Sequence, residues 1–328
     1  MTRQFTNISC AQDATSKPVL LFPKSLLSGL IVSSPKLTFQ LSGLELRGSY
    51  TDLTSRPVTG PTPTVAPAVG GLLYIAGTPP PSGGAVSMRV TIANCVITQG
   101  AAQFRGGLIY ANSAWVTVTS TTLSHGMAGM GGALHASHTT ISFIDVTMTN
   151  NTATRDGGGV SLDNTASLDA RSSAGISFSF NRAQYLGGAV FGADVTVVTL
   201  TAQDMHDNAA DLGGAVAVAG EVTVTASQST FSRNRALTHG GAVYALKGGR
   251  GSYSDVNITQ CIFKLNAAGG NGGALAADRT GVRVVNSTFD KNSAARRGGA
   301  VWSFSPAFSG AVRSGEVTPV PLPVLTRR

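Results

Sequence analysis

Apolar and polar residues alternate over short stretches along most of the chain. Residues 190–200 and 221–225 show the pattern most clearly, and many of their apolar positions are β-branched. A period of two residues with β-branched side chains is typical of strands. No window sustains the 3.6-residue period of an amphipathic helix. The pattern therefore predicts an all-β chain made of many short strands.

Glycine pairs interrupt these strands at a nearly constant spacing, most often in the form Gly-Gly-Ala-Val. The pairs start at Gly70, Gly106, Gly131, Gly157, Gly187, Gly213, Gly240, Gly272 and Gly298, in steps of 36, 25, 26, 30, 26, 27, 32 and 26 residues. A repeat of roughly 20 to 50 residues indicates a solenoid, a propeller or an array. Most of these units are too short for a propeller blade, which needs about 40 residues or more, and they lack the Leu/Asn ladder of leucine-rich repeats.

A second word, Phe-x-x-Asn-x-Ala, precedes each glycine pair from Gly106 onward, in its full form or with Met, Ile or Leu for Phe and Gly for Asn. Its large apolar positions are Ile97, Leu123, Met148, Phe178, Met205, Phe231, Phe263 and Phe289. Its asparagines are Asn151, Asn181, Asn208, Asn234, Asn266 and Asn292. We expect the apolar residues to form one interior column. We expect the asparagines to occupy a turn, since Asn tolerates left-handed backbone angles and its amide can bond to the equivalent amide above and below.

These features together predict a right-handed parallel β-helix of about nine coils with a pectate-lyase-like architecture. The coils should span residues 68–305, after an N-terminal capping segment with a Pro/Thr-rich linker (1–67) and before a Pro-containing tail (306–328). The glycine pairs should form corners that stack closely. The structural repeat positions among them are Gly131, Gly132, Gly157, Gly158, Gly187, Gly188, Gly213, Gly214, Gly240, Gly241, Gly272, Gly273, Gly298 and Gly299.

Charge and cysteine content narrow the possible partners. The formal net charge is +8, but the basic residues are scattered and are not interleaved with aromatic residues, which disfavours a nucleic-acid partner. Cys95 and Cys261 are equivalent positions six coils apart, about 29 Å, too far for a disulfide. The apolar stretch 18–32 contains Pro23 and Lys24, so no transmembrane segment is predicted. No cofactor is predicted.

Few acidic residues are available for chemistry. Asp163 and Asp278 are equivalent but four coils apart, whereas Asp194 lies one coil from Asp163 at a nearly equivalent place. Asp163 and Asp194 are therefore the candidate catalytic pair if the chain is an enzyme. Asp204, Asp207 and Asp211 lie near His206 and are weak candidates for a cation site, with ordinary turn residues as the alternative.

The combination of Gly-Gly-Ala-(Ile/Leu/Val) and Phe-x-x-Asn words resembles the repeats of chlamydial polymorphic outer membrane proteins, over residues 70–301. The resemblance implies an adhesive passenger domain with an extracellular or cell-surface location. The chain departs from that family because it shows no clear signal peptide and its tail is too short for an outer-membrane barrel. We therefore expect either a fragment or stand-alone relative, or a protein that is secreted by a different route.

The leading functional prediction is a non-enzymatic adhesive or structural module whose partner is a cell-surface protein or a glycan. The loops of the longer units, residues 161–175 and 247–254, are the predicted contact points. The alternative is a polysaccharide lyase or glycoside hydrolase. Three or more acidic side chains converging in one groove would favour the enzyme, whereas ladders of Ser and Thr would favour the binding module.

Overall fold

The computed structural model describes residues 7–9, 19–22, 30–33, 38–48, 69–77, 88–173, 177–247, 254–304 and 308–314. Their 37 strands are all paired in parallel and form three long sheets. The described residues contain no helix, so none is long and apolar enough to span a membrane.

Sheet I has one strand per coil, and every strand but the first begins three residues after the first glycine of a pair. Its strands are β3 Leu30–Ser33, β6 Leu73–Ala76, β9 Ile109–Asn112, β13 Leu134–Ser137, β17 Val160–Asp163, β21 Val190–Ala193, β25 Val216–Gly220, β29 Val243–Lys247, β33 Leu275–Asp278 and β36 Val301–Phe304.

Sheet II receives two consecutive strands from each regular coil. The first strands are β1 Asn7–Ser9, β4 Thr38–Ser42, β7 Arg89–Ala93, β10 Trp115–Thr119, β14 Thr140–Ile144, β18 Ser167–Arg171, β22 Thr196–Thr201, β26 Val222–Ser227, β30 Asp255–Thr259, β34 Gly281–Asp290 and β37 Phe308–Ser314. The second strands are β2 Val19–Phe22, β5 Glu45–Gly48, β8 Val96–Thr98, β11 Thr122–Ser124, β15 Thr147–Thr149, β19 Ser177–Ser179, β23 Asp204–His206, β27 Thr230–Ser232 and β31 Ile262–Lys264, while the long β34 serves both positions in its coil.

Sheet III closes each coil between the asparagine and the next glycine pair. Its strands are β12 Met127–Met130, β16 Thr152–Asp156, β20 Arg182–Ala183, β24 Ala209–Leu212, β28 Arg235–His239, β32 Ala267–Ala268 and β35 Ser293–Ala294. The chain thus runs from sheet I through the two strands of sheet II to sheet III in every regular coil. The predicted right-handed parallel β-helix is confirmed, with about eight turns, close to the predicted nine.

The large apolar residues of the second word lie in one interior column. Each residue from Ile97 to Phe289 pairs in register with its equivalent in the next coil, and all are at most 1% exposed. At the C-terminal end of the column, Phe263 stacks between Phe231 and Phe289 with ring centroids 4.8 Å apart on both sides. Burying each such side chain stabilises the fold by roughly 1.5–3 kcal/mol.

The asparagines form a buried ladder beside this column. The Nδ2 of Asn208 donates to Oδ1 of Asn234 (3.1 Å) and to the carbonyl oxygen of Phe178 (2.7 Å), and its own Oδ1 accepts from the backbone N–H and Nδ2 of Asn181. The same pattern runs from Asn151 to Asn292. The expectation that these asparagines are themselves left-handed is wrong. The preceding residue has the positive φ, as in Asp207 (57°), because turning the chain there aims the next side chain inward.

Glycine is required at the two positions of each pair for different structural reasons. The first has a positive φ, 64° at Gly213, which side chains rarely adopt. The second has no positive φ, but a Cβ on it would overlap the backbone of the next coil. At Gly214 that atom would meet the carbonyl oxygen of Gly241 and the amide nitrogen of Arg235. Gly299, in the last glycine corner, has only Asn292 O nearby, at 3.5 Å.

The described strands extend beyond the range 68–305. Strands β1 to β5 add to sheets I and II at the N-terminal end, and β37 pairs with β34 inside the segment expected as a tail. Cys95 and Cys261 are buried, and Cys10 lies outside the described residues. The predicted contact loop 161–175 is wrong for most of its length, because β17 and β18 occupy it and only residues 164–166 and 172–173 are described between and after them. Residues 174–175 and 248–253 of the two predicted loops lie outside the described residues.

Candidate binding trough on sheet I

The outward side chains of sheet I form the floor of a trough along the solenoid. Because side chains alternate across a strand, one outward residue per coil stands between two inward ones. In register order the floor is Tyr74, Tyr110, His135, Ser161, Phe191, Ala217, Tyr244, Ala276 and Trp302.

Two rows of side chains rise on either side of this floor. One row consists of the residues before the glycine pairs, among them Arg105, Met130, Asp156, Leu186, Leu212 and His239. The other row lies two residues after the floor on the same strands, with Ser137, Asp163, Ala193, Ala219, Leu246 and Asp278. The two rows make the floor residues largely inaccessible in most coils.

The half of the trough from Phe191 to Trp302, called the apolar half below, is a second hydrophobic cluster outside the main core. Phe191, Ala217, Tyr244 and Ala276 are at most 6% exposed and are covered by aliphatic side chains of both rows. His239 stacks against Tyr244 and Trp302, with ring centroids 6.2 and 5.9 Å apart. This half is closed by its own side chains.

The half from Tyr74 to Asp163, called the polar half below, contains a cleft. Tyr110 stacks between Tyr74 and His135 at centroid distances of 5.3 and 5.7 Å. A cavity of about 390 Å³ lies beside Tyr110 of this stack, lined also by Phe104, Arg105, Met130 and Arg155 among others. The side chains of Arg105 and Arg155 are 40% and 65% exposed, so both guanidinium groups can reach a ligand in the cleft.

One carboxylate, that of Asp163, lies in the row beside the floor of the polar half. Asp163 Oδ2 lies 3.5 Å from Nε2 of His135 and 3.8 Å from Nη1 of Arg105. Burial alone would raise the pKa of the Asp163 carboxyl, but its contacts with His135, Ser137 and Arg105 together lower it. Burial lowers the pKa of His135, which is fully inaccessible, so the imidazole is held neutral.

Two further polar groups complete this region. Ser161 follows His135 in register, and neither its Oγ nor the two ring nitrogens of His135 have a hydrogen-bond partner among the described residues. Asp156 lies in the same coil as Asp163, on the opposite side of Ser161. Its Oδ1 accepts from the amide of Leu186 (3.2 Å), and burial raises the pKa of its carboxyl.

The acidic residues singled out in the sequence have different surroundings. Leu162 pairs with Gly192, so Asp194 lies one residue beyond the register position of Asp163; it is exposed in a turn with a φ of 59°. Asp163 and Asp278 do share one register position, through Ala193, Ala219 and Leu246.

The predicted cation cluster is held by other contacts. Both oxygens of Asp207 accept from Arg233 at 2.8–3.2 Å, and Oδ2 also contacts Nδ1 of His206 at 2.7 Å. Asp204 and Asp211 lie on strands on either side of that turn. Within the described part of the chain no three His, Cys, Asp or Glu side chains are grouped as a metal site requires.

Sequence reasoning missed Arg105, Tyr110, His135 and Ser161. A signal was present, because every floor residue stands four positions after the first glycine of its pair. Aligning the units at that offset brings Tyr74, Tyr110 and His135 into one column.

Comparison with known proteins gives one result. Residues 134–308 match the family model described as the right-handed β-helix region, which is more than half of the chain. No curated protein and no solved structure matches the chain. The three parallel sheets and the family match agree, and the chain belongs to the right-handed β-helix family.

Proposed function

We propose that this chain is a non-enzymatic β-helix module that binds a glycan through the polar half of its trough. The observation that carries the proposal is the cleft over Tyr110, where two arginines and two aromatic rings surround a cavity of about 390 Å³. Small-molecule and saccharide sites combine such apolar walls with a few placed polar groups.

The charges of the cleft favour a ligand with an acidic group. Arg155 is 3.8 Å from Asp156, and Arg105 is 3.8 Å from Asp163, so each guanidinium is only loosely paired. A carboxylate can take two parallel hydrogen bonds from one guanidinium, which is stronger than a neutral contact. The ring of Phe104, which is 56% exposed, can meanwhile pack against the C–H face of a sugar, while Tyr110, stacked on both faces by Tyr74 and His135, presents only its edge. An acidic saccharide therefore fits the cleft best.

The setting of this module is also a proposal. The resemblance to chlamydial polymorphic outer membrane protein repeats supports an adhesive role outside the cell or at its surface, with a surface protein as the other class of partner. The β-helix suits such a role because each coil contacts only its neighbours, so the body is extended and presents a long binding surface.

An acid/base enzyme of the hydrolase or lyase kind is the second candidate, and one observation favours it. Asp156 and Asp163 lie in one coil on opposite sides of Ser161, and their surroundings shift their pKa values in opposite directions. Glycosidases use two carboxyl groups with separated pKa values, one as acid and one as base or nucleophile. Among the described residues only these two carboxylates flank the polar half of the trough, fewer than the three set above as favouring an enzyme.

The test measures binding and turnover on the same polymer. We expect the purified chain to bind polygalacturonate without degrading it, with or without calcium. We expect Arg155→Gln to weaken binding about tenfold or more, since a charge-assisted bidentate contact contributes roughly 1.5–3 kcal/mol. The matched control is Arg235→Gln on the outer face of sheet III, which removes the same charge far from the trough.

Two results would contradict the proposal. Turnover of the polymer that disappears in Asp156→Asn or Asp163→Asn would establish the enzyme instead. Equal loss of binding in Arg155→Gln and Arg235→Gln would show that only the net positive charge attracts the polymer.

A further inference from the structure

The outer face of sheet II is a separate surface whose side chains are mostly Ser and Thr. Its middle column contains Thr91, Thr117, Ser142, Thr199 and Thr225, one per coil, all partly exposed. The first strands of this sheet pair in unbroken register from Arg89 to Thr259. Hydroxyl groups therefore repeat at about 4.8 Å across the strands and about 6.6 Å along them.

This face carries little net charge. Asp169 interrupts the middle column between Ser142 and Thr199, and its carboxylate is paired with Arg171 on the same strand, with Nε at 3.0 Å from both oxygens and Nη2 at 2.8 Å. In the described part of the chain no side-chain hydrogen bond joins the hydroxyls of the middle column to another residue. These hydroxyls are thus available to a partner.

Apolar surface is mixed in with the hydroxyls. Ile144 and Val197 are 43% and 46% exposed on the same face. Each Thr adds one methyl beside its hydroxyl, and its χ1 is stiff, so holding it in one orientation costs little entropy. The face therefore presents hydroxyl groups at regular spacing, with the exposed apolar side chains of Ile144 and Val197 among them.

We propose that this face binds the ordered surface of a neutral polysaccharide. Sugar chains in an ordered array repeat hydroxyl groups and C–H faces at fixed intervals, which complements the grid, and a neutral polymer requires no counter-charge. The proposal is independent of the trough, because the two surfaces lie on different sheets and favour ligands of different charge.

The experiment measures co-sedimentation of the full chain with insoluble microcrystalline cellulose and with chitin. We expect saturable binding to at least one of them that persists at 0.5 M salt. At this ionic strength the Debye length is only roughly 3–5 Å, so binding that depended on charge alone would be lost. Replacing two neighbouring hydroxyls, Thr199→Lys with Thr225→Lys, should weaken it about tenfold or more, because two hydrogen bonds of about 1 kcal/mol are lost and a bulky charge is placed on the grid.

Two control variants make the result specific. Thr199→Val with Thr225→Val keeps shape and methyls but removes the hydroxyls, so an intermediate loss is expected. Ala209→Lys with Ala267→Lys adds the same charge to the outer face of sheet III and should leave binding unchanged. Thermal unfolding of each variant checks that the fold persists.

Several outcomes would overturn the proposal. The wild-type chain could fail to bind either polymer, or the Thr199/Thr225 lysine pair could bind as well as wild type. A dimer of the wild type that the lysine pair converts to a monomer, without polymer binding, would show that a second copy occupies this face. Loss of polygalacturonate binding in Arg155→Gln with retained cellulose or chitin binding would leave this proposal standing and separate it from the trough.

Discussion

Interior positions keep the same residue type from coil to coil, whereas positions on the outer surface of the same coils do not. The interior column from Ile97 to Phe289 is large and apolar in every coil, and the ladder beside it is Asn in six successive coils. The trough floor, 12 or 13 residues further along the chain in each coil, varies between Tyr, His, Ser, Phe, Ala and Trp.

The difference follows from what each side chain contacts. An interior residue packs between its own equivalents in the coils above and below, so a residue that suits one coil suits the next. A floor residue also contacts the two flanking rows and whatever lies outside, and these vary. Repeated positions therefore carry stability, and non-repeated positions are where function must be sought.

The largest expected effect on the repeated side comes from Gly214→Val. The new Cβ would overlap the carbonyl oxygen of Gly241 and the backbone of Arg235, both of which belong to rigid coils. We expect a loss of about 4 kcal/mol or more in the free energy of unfolding, or failure to fold. Urea unfolding and the melting temperature measure it.

Gly299→Ala is the matched control, since only Asn292 O lies near its added Cβ. It should change stability by less than about 1 kcal/mol. Because Val is larger than Ala, Gly214→Ala is measured beside it and should still be strongly destabilising. An unchanged melting temperature in Gly214→Val would mean that the corners do not stack as described.

The next largest effect is expected from Asn208→Ala in the ladder. The change leaves the carbonyl of Phe178 and the amide of Asn181 without their buried partners. Each unsatisfied group costs about 1–3 kcal/mol, so the free energy of unfolding should fall by about 3 kcal/mol. Asn257→Ala, on the partly exposed outer face of sheet II, is the control and should stay within about 0.5 kcal/mol. Similar losses in both variants would mean that the ladder contributes no special stability.

The sequence predicts the fold well because the interior repeats. The offset between asparagine and glycine pair, and the column of large apolar residues, are enough to place every regular coil. The backbone conformation at individual turns is harder to predict from the sequence. The left-handed residue at the asparagine turn differs from coil to coil; in chain order it is Asn150, Phe180, Asp207, Arg233, Leu265 and Lys291. These share no side-chain chemistry, because the requirement is on the backbone alone and the side chain points to solvent.

Only part of the candidate site can be predicted from the sequence. Asp163 is visible as an isolated acid, but its partners Arg105 and His135 belong to two other coils and become neighbours only through stacking. Reading the fourth position after each first glycine would have found His135 and Tyr110. It would not have found Arg105, whose side chain reaches diagonally from the coil of Tyr110 to that of Asp163.

The smallest expected effect is on the pH dependence of stability, and it arises from the buried imidazole of His135 on the trough floor. Its pKa is lowered by burial, so below about pH 6.5 the unfolded chain takes up a proton that the folded chain does not. The contribution of the neutral, buried imidazole to the free energy of unfolding is fully present above about pH 6.5. It is lost as the pH falls from there toward the lower folded pKa, by up to about 1.4 kcal/mol per pH unit.

Replacing His135 with Phe isolates this contribution. Phe keeps a ring against Tyr110 but cannot titrate, so the difference in unfolding free energy between pH 7.5 and 5.5, measured by urea unfolding, should shrink relative to wild type. Both chains carry Asp163→Asn in this comparison, because contacts with His135 help to lower the pKa of the Asp163 carboxyl and the Phe variant would lose them. His125→Asn removes an exposed histidine instead and should keep the wild-type pH dependence. The same dependence in His135→Phe and wild type would show that the polar half of the trough is open to water, with its imidazole as accessible as the one at His125.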